Sequence, residues 1–268
     1  MGALKALAAF FLTVFVTAAA AQSLPKPPSL DDLEARGGFA NEHGFYLRGD
    51  VGVAWQRLGT RPSSFYNGLN NFHYGTLDIE ATRPVGVGIG YRSSDLFRFD
   101  LTSEYRSRAN IRTMPVYSCV GTTCSDALTS DLRSLVTMLN GYFEIGSWHD
   151  VTPYIGVGAG LAHHRFGPVE IPSNAVHSSG TTASHPRNRL ALSVMTGAAY
   201  DLSERVKLDI GYRYLSMGRI ESGAFDCSPV RGGICNNGTQ SLRVASHELR
   251  AGLRFLLQDG PRLMSFHR

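Results

Sequence analysis

The sequence predicts an all-β fold, an eight-stranded antiparallel up-and-down transmembrane β-barrel, and three observations carry that expectation. Residues 44–257 alternate bulky apolar with polar side chains, as in LFRFDLTSEYR (96–106), VKLDIGYRYL (206–215) and ELRAGLRFLL (248–257). Period two is the repeat of a strand and gives each segment one apolar face and one face of charges or glycines. The spacers between these segments alternate short and long, as the turns and loops of an outer-membrane barrel do. Beyond the first 21 residues no apolar run approaches the roughly 18 residues a membrane-spanning helix needs. A chain of this kind that enters a membrane must cross it as strands.

The chain of 268 residues opens with Lys5, an apolar stretch Ala6–Val16 and Ala19-Ala20-Ala21 before Gln22, the three parts of a signal peptide over 1–21. Residues 22–43 carry Pro25, Pro27, Pro28 and the pair Gly37-Gly38 and read as a flexible leader. The barrel proper is expected over 44–257, followed by a short tail, 258–268.

The first strand, 44–57, sets Phe45, Leu47, Val51, Val53 and Trp55 against Arg48, Asp50 and Gln56. The second, 76–92, places Leu77, Ile79, Val85, Val87, Ile89 and Tyr91 outward and Gly86, Gly88 and Gly90 inward. Pro84 interrupts it and cannot donate to a ladder, so either a bulge there or a strand starting after it is expected. The third, 96–106, opposes Phe97, Phe99, Leu101 and Tyr105 to Arg98, Asp100, Glu104 and Arg106. The fourth, 131–145, opposes Leu135, Leu139, Phe143 and Ile145 to Asn140, Tyr142 and Glu144. The fifth, 151–163, pairs Ile155, Val157 and Leu161 with inward Gly156, Gly158 and Gly160. The sixth is 188–201, and the seventh and eighth are 205–217 and 246–257. Tight turns join strands two to three, four to five and six to seven. The long connections 58–75, 107–130, 164–187 and 218–245 are rich in Gly, Ser, Asn, Thr and Pro. Both termini thus fall at the short-turn end. Aromatic residues gather toward strand ends, as an interfacial girdle requires.

Net charge is +4 and no compact Lys/Arg cluster occurs, so nucleic acid is not an expected partner. A mean hydropathy of −0.10 suits a barrel, whose alternation dilutes its hydrophobicity. The four cysteines fall in two close pairs, Cys119/Cys124 and Cys227/Cys235. In an exported chain such pairs read as two local disulfides; neither has the C-x2-C spacing of a zinc site.

The segments TPYIGVGAGLAH (152–163), LDIGYRYLSMG (208–218) and HELRAGLRFLL (247–257) resemble the small outer-membrane β-barrels of the OmpA-like and opacity types, especially porin-family proteins of α-proteobacteria. That resemblance covers about 44–257 and implies a Gram-negative outer-membrane location, insertion by the barrel-assembly machinery, contact with outer-membrane lipid and lipopolysaccharide, and an extracellular ligand taken by the long loops. Family members end on an aromatic read during assembly. Here Phe255 lies near the end of the barrel, but QDGPRLMSFHR follows.

The inward set expected from parity is Arg48, Arg92, Arg98, Arg106, Lys207, Arg213, Arg250 and Arg254 against Asp50, Asp78, Glu80, Asp100, Glu104, Glu144, Asp209 and Glu248. Such a balance can close into an ion-pair network that fills the narrow interior of an eight-stranded barrel. Signals for chemistry are weak. Ser246-His247-Glu248 has a hydrolase's residue types in the wrong order. The run Val85–Gly90 lacks a following GK[ST] and is no phosphate loop. His163, His164, His177 and His185 have no metal-site spacing, and the Asn237-Gly238-Thr239 sequon is uninformative in a bacterial setting. No catalytic residue, cofactor or metal is expected. The leading reading is a structural, surface-exposed barrel that supports envelope integrity and makes host or surface contacts through its loops. A small diffusion porin and a soluble lipocalin-like binding barrel are the alternatives.

Overall fold

The computed structural model describes residues 44–60, 71, 73–119, 122–125, 127–168, 170–171, 178–182, 185–221, 225–229, 239 and 241–257. The segments read as signal peptide, leader and tail lie outside the described residues. Thirteen strands occur in chain order: β1 (Gly44–Thr60), β2 (His73–Ile79), β3 (Pro84–Arg92), β4 (Phe97–Cys119), β5 (Thr122–Ser125), β6 (Leu128–Glu144), β7 (Val151–Phe166), β8 (Glu170–Ile171), β9 (Ser178–Thr182), β10 (His185–Asp201), β11 (Val206–Glu221), β12 (Phe225–Pro229) and β13 (Ser241–Leu256).

Eight of them close a ring. Antiparallel pairing runs β1–β3–β4–β6–β7–β10–β11–β13 and returns from β13 to β1. The fold is an all-β, eight-stranded antiparallel barrel. The remaining strands extend it at one end. β2 continues the line of β3 along β4, β5 pairs the end of β4, and β8, β9 and β12 build outward from β6.

The stagger of the ring fixes its dimensions. Partners followed from Leu47 through Ile89, Leu101, Leu139, Ala159, Leu192, Ser216 and Ala245 return to β1 at Arg57, ten residues (57 − 47) from the start. A shear of that size with eight strands, about 3.3 Å rise and about 4.8 Å spacing, gives a tilt of about 41° and a backbone radius of about 8 Å. The interior of so narrow a tube is side chains.

Short connections lie at one end: 93–96 between β3 and β4, 145–150 between β6 and β7, and 202–205 between β10 and β11. Ser94 Oγ accepts from the Leu96 and Phe97 amides there, and His149 and Asp150 take positive φ to turn the second. The start of β1 and the end of β13 meet at the same end, where the Leu257 amide donates to the Phe45 carbonyl.

Outward side chains form an apolar band. Val87 is 67% exposed, Leu139 62% and Val157 64%, and Leu47, Leu101, Leu192, Ile210 and Leu253 are exposed beside them. Phe45, Tyr91, Phe97, Phe143, Tyr200 and Phe255 mark its edge at the short-turn end, and Trp55, Tyr105, Tyr212 and Tyr214 the other. Along β1 the band runs from Phe45 to Trp55, roughly 23–25 Å for a strand tilted near 40–45°.

Two expectations are corrected here and a third is narrowed. The strands run further than the outward apolar pattern, β4 to Cys119 and β11 to Glu221, so the long connections contain ladder and are not structureless loops. Leu77 and Ile79 face the interior core rather than lipid, whereas Asp78 and Glu80 are exposed and do not belong to the lumen. Pro84 carries no bulge but opens β3, in keeping with the alternative of a strand start there, because the chain breaks over 80–83 and rejoins β1 through the Ala54–Thr82 bridge. One cause underlies all three. Extra residues between Arg106 and Ala109 and between Ser216 and Arg219 shift the register, and the break at 80–83 does the same for β2. Each shift exchanges the faces of the strand beyond it.

Candidate functional site

The barrel interior has two tiers. Toward the short turns it is ionic, because Gly86, Gly90, Gly156 and Gly158 leave the wall bare where long side chains from facing strands need space. A Cβ at Gly90 would lie 2.2 Å from the Tyr46 ring, and one at Gly158 would lie 2.3 Å from Asn140 Oδ1.

Two carboxylate–guanidinium centres occupy this tier. In the first, Arg48 holds Asp50 through Nη2 (2.6 Å) and Nε (2.8 Å), reaches Asp100 at 2.5 Å and donates to Tyr142 Oη at 3.0 Å. Arg98, fully buried, donates from Nε to Glu144 at 2.8 Å and stacks over the Tyr142 ring at 3.6 Å. Arg254 donates to Asp209 at 2.5 Å, and Tyr46 Oη donates to Asp100 at 3.1 Å. In the second centre Arg213 grips Glu104 with both terminal nitrogens, at 2.8 and 2.5 Å, and Glu248 at 2.6 Å. Arg106 and Ser246 complete Glu248. Arg250 bridges the centres, 2.7 Å from Glu104 and 3.6 Å from Asp50.

The structure therefore brings together Arg48, Asp50, Arg98, Asp100, Glu104, Glu144, Asp209, Arg213, Glu248, Arg250 and Arg254. With Arg106 they make six arginines and six carboxylates. Arg92 meets Glu144 at 3.3 Å, and Lys207 meets Asp201 at 2.9 Å near the short turns. A cavity of about 20 Å³ lies among Arg48, Asp50, Tyr142, Asp209 and Arg213, room for about one water.

Toward the long-loop end the interior turns apolar. Ile111, Tyr117, Leu128, Leu132, Val136, Met138, Phe166, Leu215, Met217, Ile220, Leu242 and Val244 form one buried cluster, with Leu58, Leu77 and Ile79 packed on it. His164 is embedded beside it. Its Nε2 lies 3.0 Å from the Met217 carbonyl, which only accepts, so Nε2 carries the proton and Ser134 donates to Nδ1 at 2.7 Å. Parity counting missed this cluster. Leu77, Ile79, Ile111, Tyr117 and Ile220 lie past shifts that exchange the inward parity of β2, β4 and β11, whereas the members on β6, β7 and β13 keep their strands' inward parity and extend it toward the long-loop end. Tyr46 and Tyr154 were legible in principle, since each shares its strand's inward parity. Among the described residues no group of His, Cys, Asp and Glu is arranged to hold a metal.

Outside, beyond the upper aromatic edge, outward positions turn basic. Arg57, Arg83, Arg108, Arg112, Arg133, Arg165, Arg187, Arg189, Arg219 and Arg243 stand there at least partly exposed, against Asp78, Glu80, Asp131 and Glu221. The side chains of Cys119, Cys124 and Cys227, and the whole of Cys235, lie outside the described residues.

Comparison with known proteins agrees with this geometry. A family model described as the outer membrane protein beta-barrel domain matches residues 6–255. An uncharacterized protein of Brucella suis is 29% identical over 241 residues, covering 79% of this chain and 84% of its own. A putative adhesin of Rickettsia bellii is 27% identical over 215 residues, covering 79% and 87%. Among solved structures, the outer membrane protein OprG of Pseudomonas aeruginosa superposes with a TM-score of 0.52 at 13% identity, covering 81% of this chain and 98% of that one.

Proposed function

The chain belongs to the outer membrane beta-barrel family, and from that premise we propose that it is a closed structural barrel of the bacterial envelope whose long-loop end contacts other surfaces. The protein is an outer-membrane barrel; its non-conducting character, its support of envelope integrity and its orientation are the substance of the proposal. The observation that carries it is the filling of the interior by an ionic tier and then an apolar one. An ion crossing the lumen would have to displace paired guanidinium and carboxylate groups, and then enter a mainly apolar cluster with few polar groups to replace its hydration. The short turns and both chain ends face the periplasm in this reading, as they do in barrels of this kind. The cysteine pairs Cys119/Cys124 and Cys227/Cys235 are proposed as staples of the second and fourth loops. The adhesin-like relative supports a binding role for the loops.

Planar-bilayer recording tests the proposal. The purified protein is expected to give no reproducible stepwise conductance, and steps of constant size at low applied voltage would establish the small-porin alternative in its place. The lipocalin-like alternative fits the structure poorly: an exposed apolar band around a charged interior is the inverse of a soluble barrel.

A further inference from the structure

The wall of the barrel opens on one side. The ladder between β10 and β11 ends at the pair Leu192–Ser216. Beyond it β10 stays with β7 as far as His185–Phe166, while β11 shifts register and follows β13 as far as Glu221–Ser241. Gly218 turns the chain at the split with φ of 76°, and a Cβ there would press on Arg189 Cβ at 3.0 Å. The parting strands leave a notch of about 440 Å³, lined by Arg189, Arg219, Arg243 and Glu221 over a floor of Ser216 and Gly218.

Three guanidiniums face one carboxylate, a net charge of +2 (3 − 1). Arg189 and Glu221 are 3.3 Å apart across the notch, and the buried Nε of Arg189 has no hydrogen-bond partner. Arg219 and Arg243 sit opposite each other in the ladder. Like charges so placed are destabilising unless an anion lies between them. Directly below, Leu190, Leu192 and Val194 present 62%, 52% and 54% of their surfaces outward. A cationic recess set on the rim of an apolar wall is complementary to an amphiphile with an anionic head, whose chains lie on the leucines and whose oxyanions take the guanidinium forks.

We propose that the notch binds the phosphorylated head of an outer-leaflet glycolipid of the lipid A type. The assignment rests on the orientation given above, in which the long-loop end faces outward, and it is independent of what the loops bind. Native mass spectrometry of the full-length protein in neutral detergent tests it, with R219A/R243A as the variant and R57A/R165A as the control on the same rim. Diphosphoryl lipid A is expected to bind wild type and control about tenfold more tightly than its dephosphorylated form or phosphatidylcholine, and R219A/R243A is expected to lose that preference. Equal binding by wild type and R219A/R243A would overturn the site. Full displacement of lipid A by equimolar inorganic phosphate would overturn the lipid source and leave a free-anion site. Orientation is read separately, by labelling a T129C variant on intact cells with a membrane-impermeant reagent. An unlabelled but accessible cysteine would sink the orientation without touching the detergent result.

Discussion

Arg213 shows how single residues hold this interior. It is fully buried, reaches Glu104 from β4 and Glu248 from β13 at once, and so ties strands on opposite sides of the tube. Deleting one partner of a buried ion pair leaves the others charged and desolvated, at a cost of about 3–5 kcal/mol. R213A is therefore expected to lower the free energy of unfolding in urea by about that amount. A loss below about 1 kcal/mol would mean that water already screens the centre. The charged residues of this tier are legible in the sequence because parity within an unbroken strand is strict: Arg48 and Asp50, or Arg98, Asp100 and Glu104, follow from counting by two. Their pairing is not legible. Nothing in the sequence tells that Arg213 meets Glu104, 109 positions away, as well as Glu248, 35 positions away.

At the scale of the element, each long strand changes solvent along its length. On β6, Phe143 and Leu139 face outward in the apolar band, whereas Arg133 and Thr129 face outward beyond it; inward, Asn140 and Glu144 give way to Val136, Leu132 and Leu128. The half toward the short turns is built for lipid outside and charge inside. The half toward the loops is built like a soluble barrel, with its apolar side chains within. That change locates the membrane edge, and substitution on one strand measures it. L139R is expected to destabilise refolding into phosphatidylcholine vesicles by about 2–4 kcal/mol, and T129R by no more than about 1 kcal/mol. Similar costs at both positions would show that the band extends beyond Arg133. Sequence reading ended the strands too early for the same reason: the outward apolar pattern stops at the rim, but the ladder continues with its faces exchanged.

Among the described residues the eight ring strands close edge to edge through the tier near the short turns, and interior ties join strands on opposite sides. Unfolding is thereby expected to be resisted by the closed ladder and the buried ion pairs together. Unheated and boiled samples should migrate differently on SDS gels, and identical migration would contradict a closed barrel in detergent. Closure also explains why a mean hydropathy of −0.10 coexists with a wide exposed apolar band. The tube hides its charges within, and averages over the chain cancel the two faces.

The sequence by itself determined the class of the fold, the number of long strands, the alternation of tight and long connections, and the inward charged set of the tier near the short turns. All of these rest on period two and on turn chemistry, which are local. Only the tertiary structure decided where that period slips. The register shifts after Arg106 and Ser216 are single-residue events with no signature of their own in composition, and Pro84 marks the break at 80–83 without telling that it exchanges the faces of β2. They exchange which face is buried, and with it they turn Leu77, Ile79, Ile111, Tyr117 and Ile220 into the apolar upper tier, move Asp78 and Glu80 outward, and part β10 from β11 to leave the arginine-lined notch. Parity is a property of a strand, but the phase of parity after a bulge depends on what the neighbouring strand pairs with, and that is decided only when the ring closes.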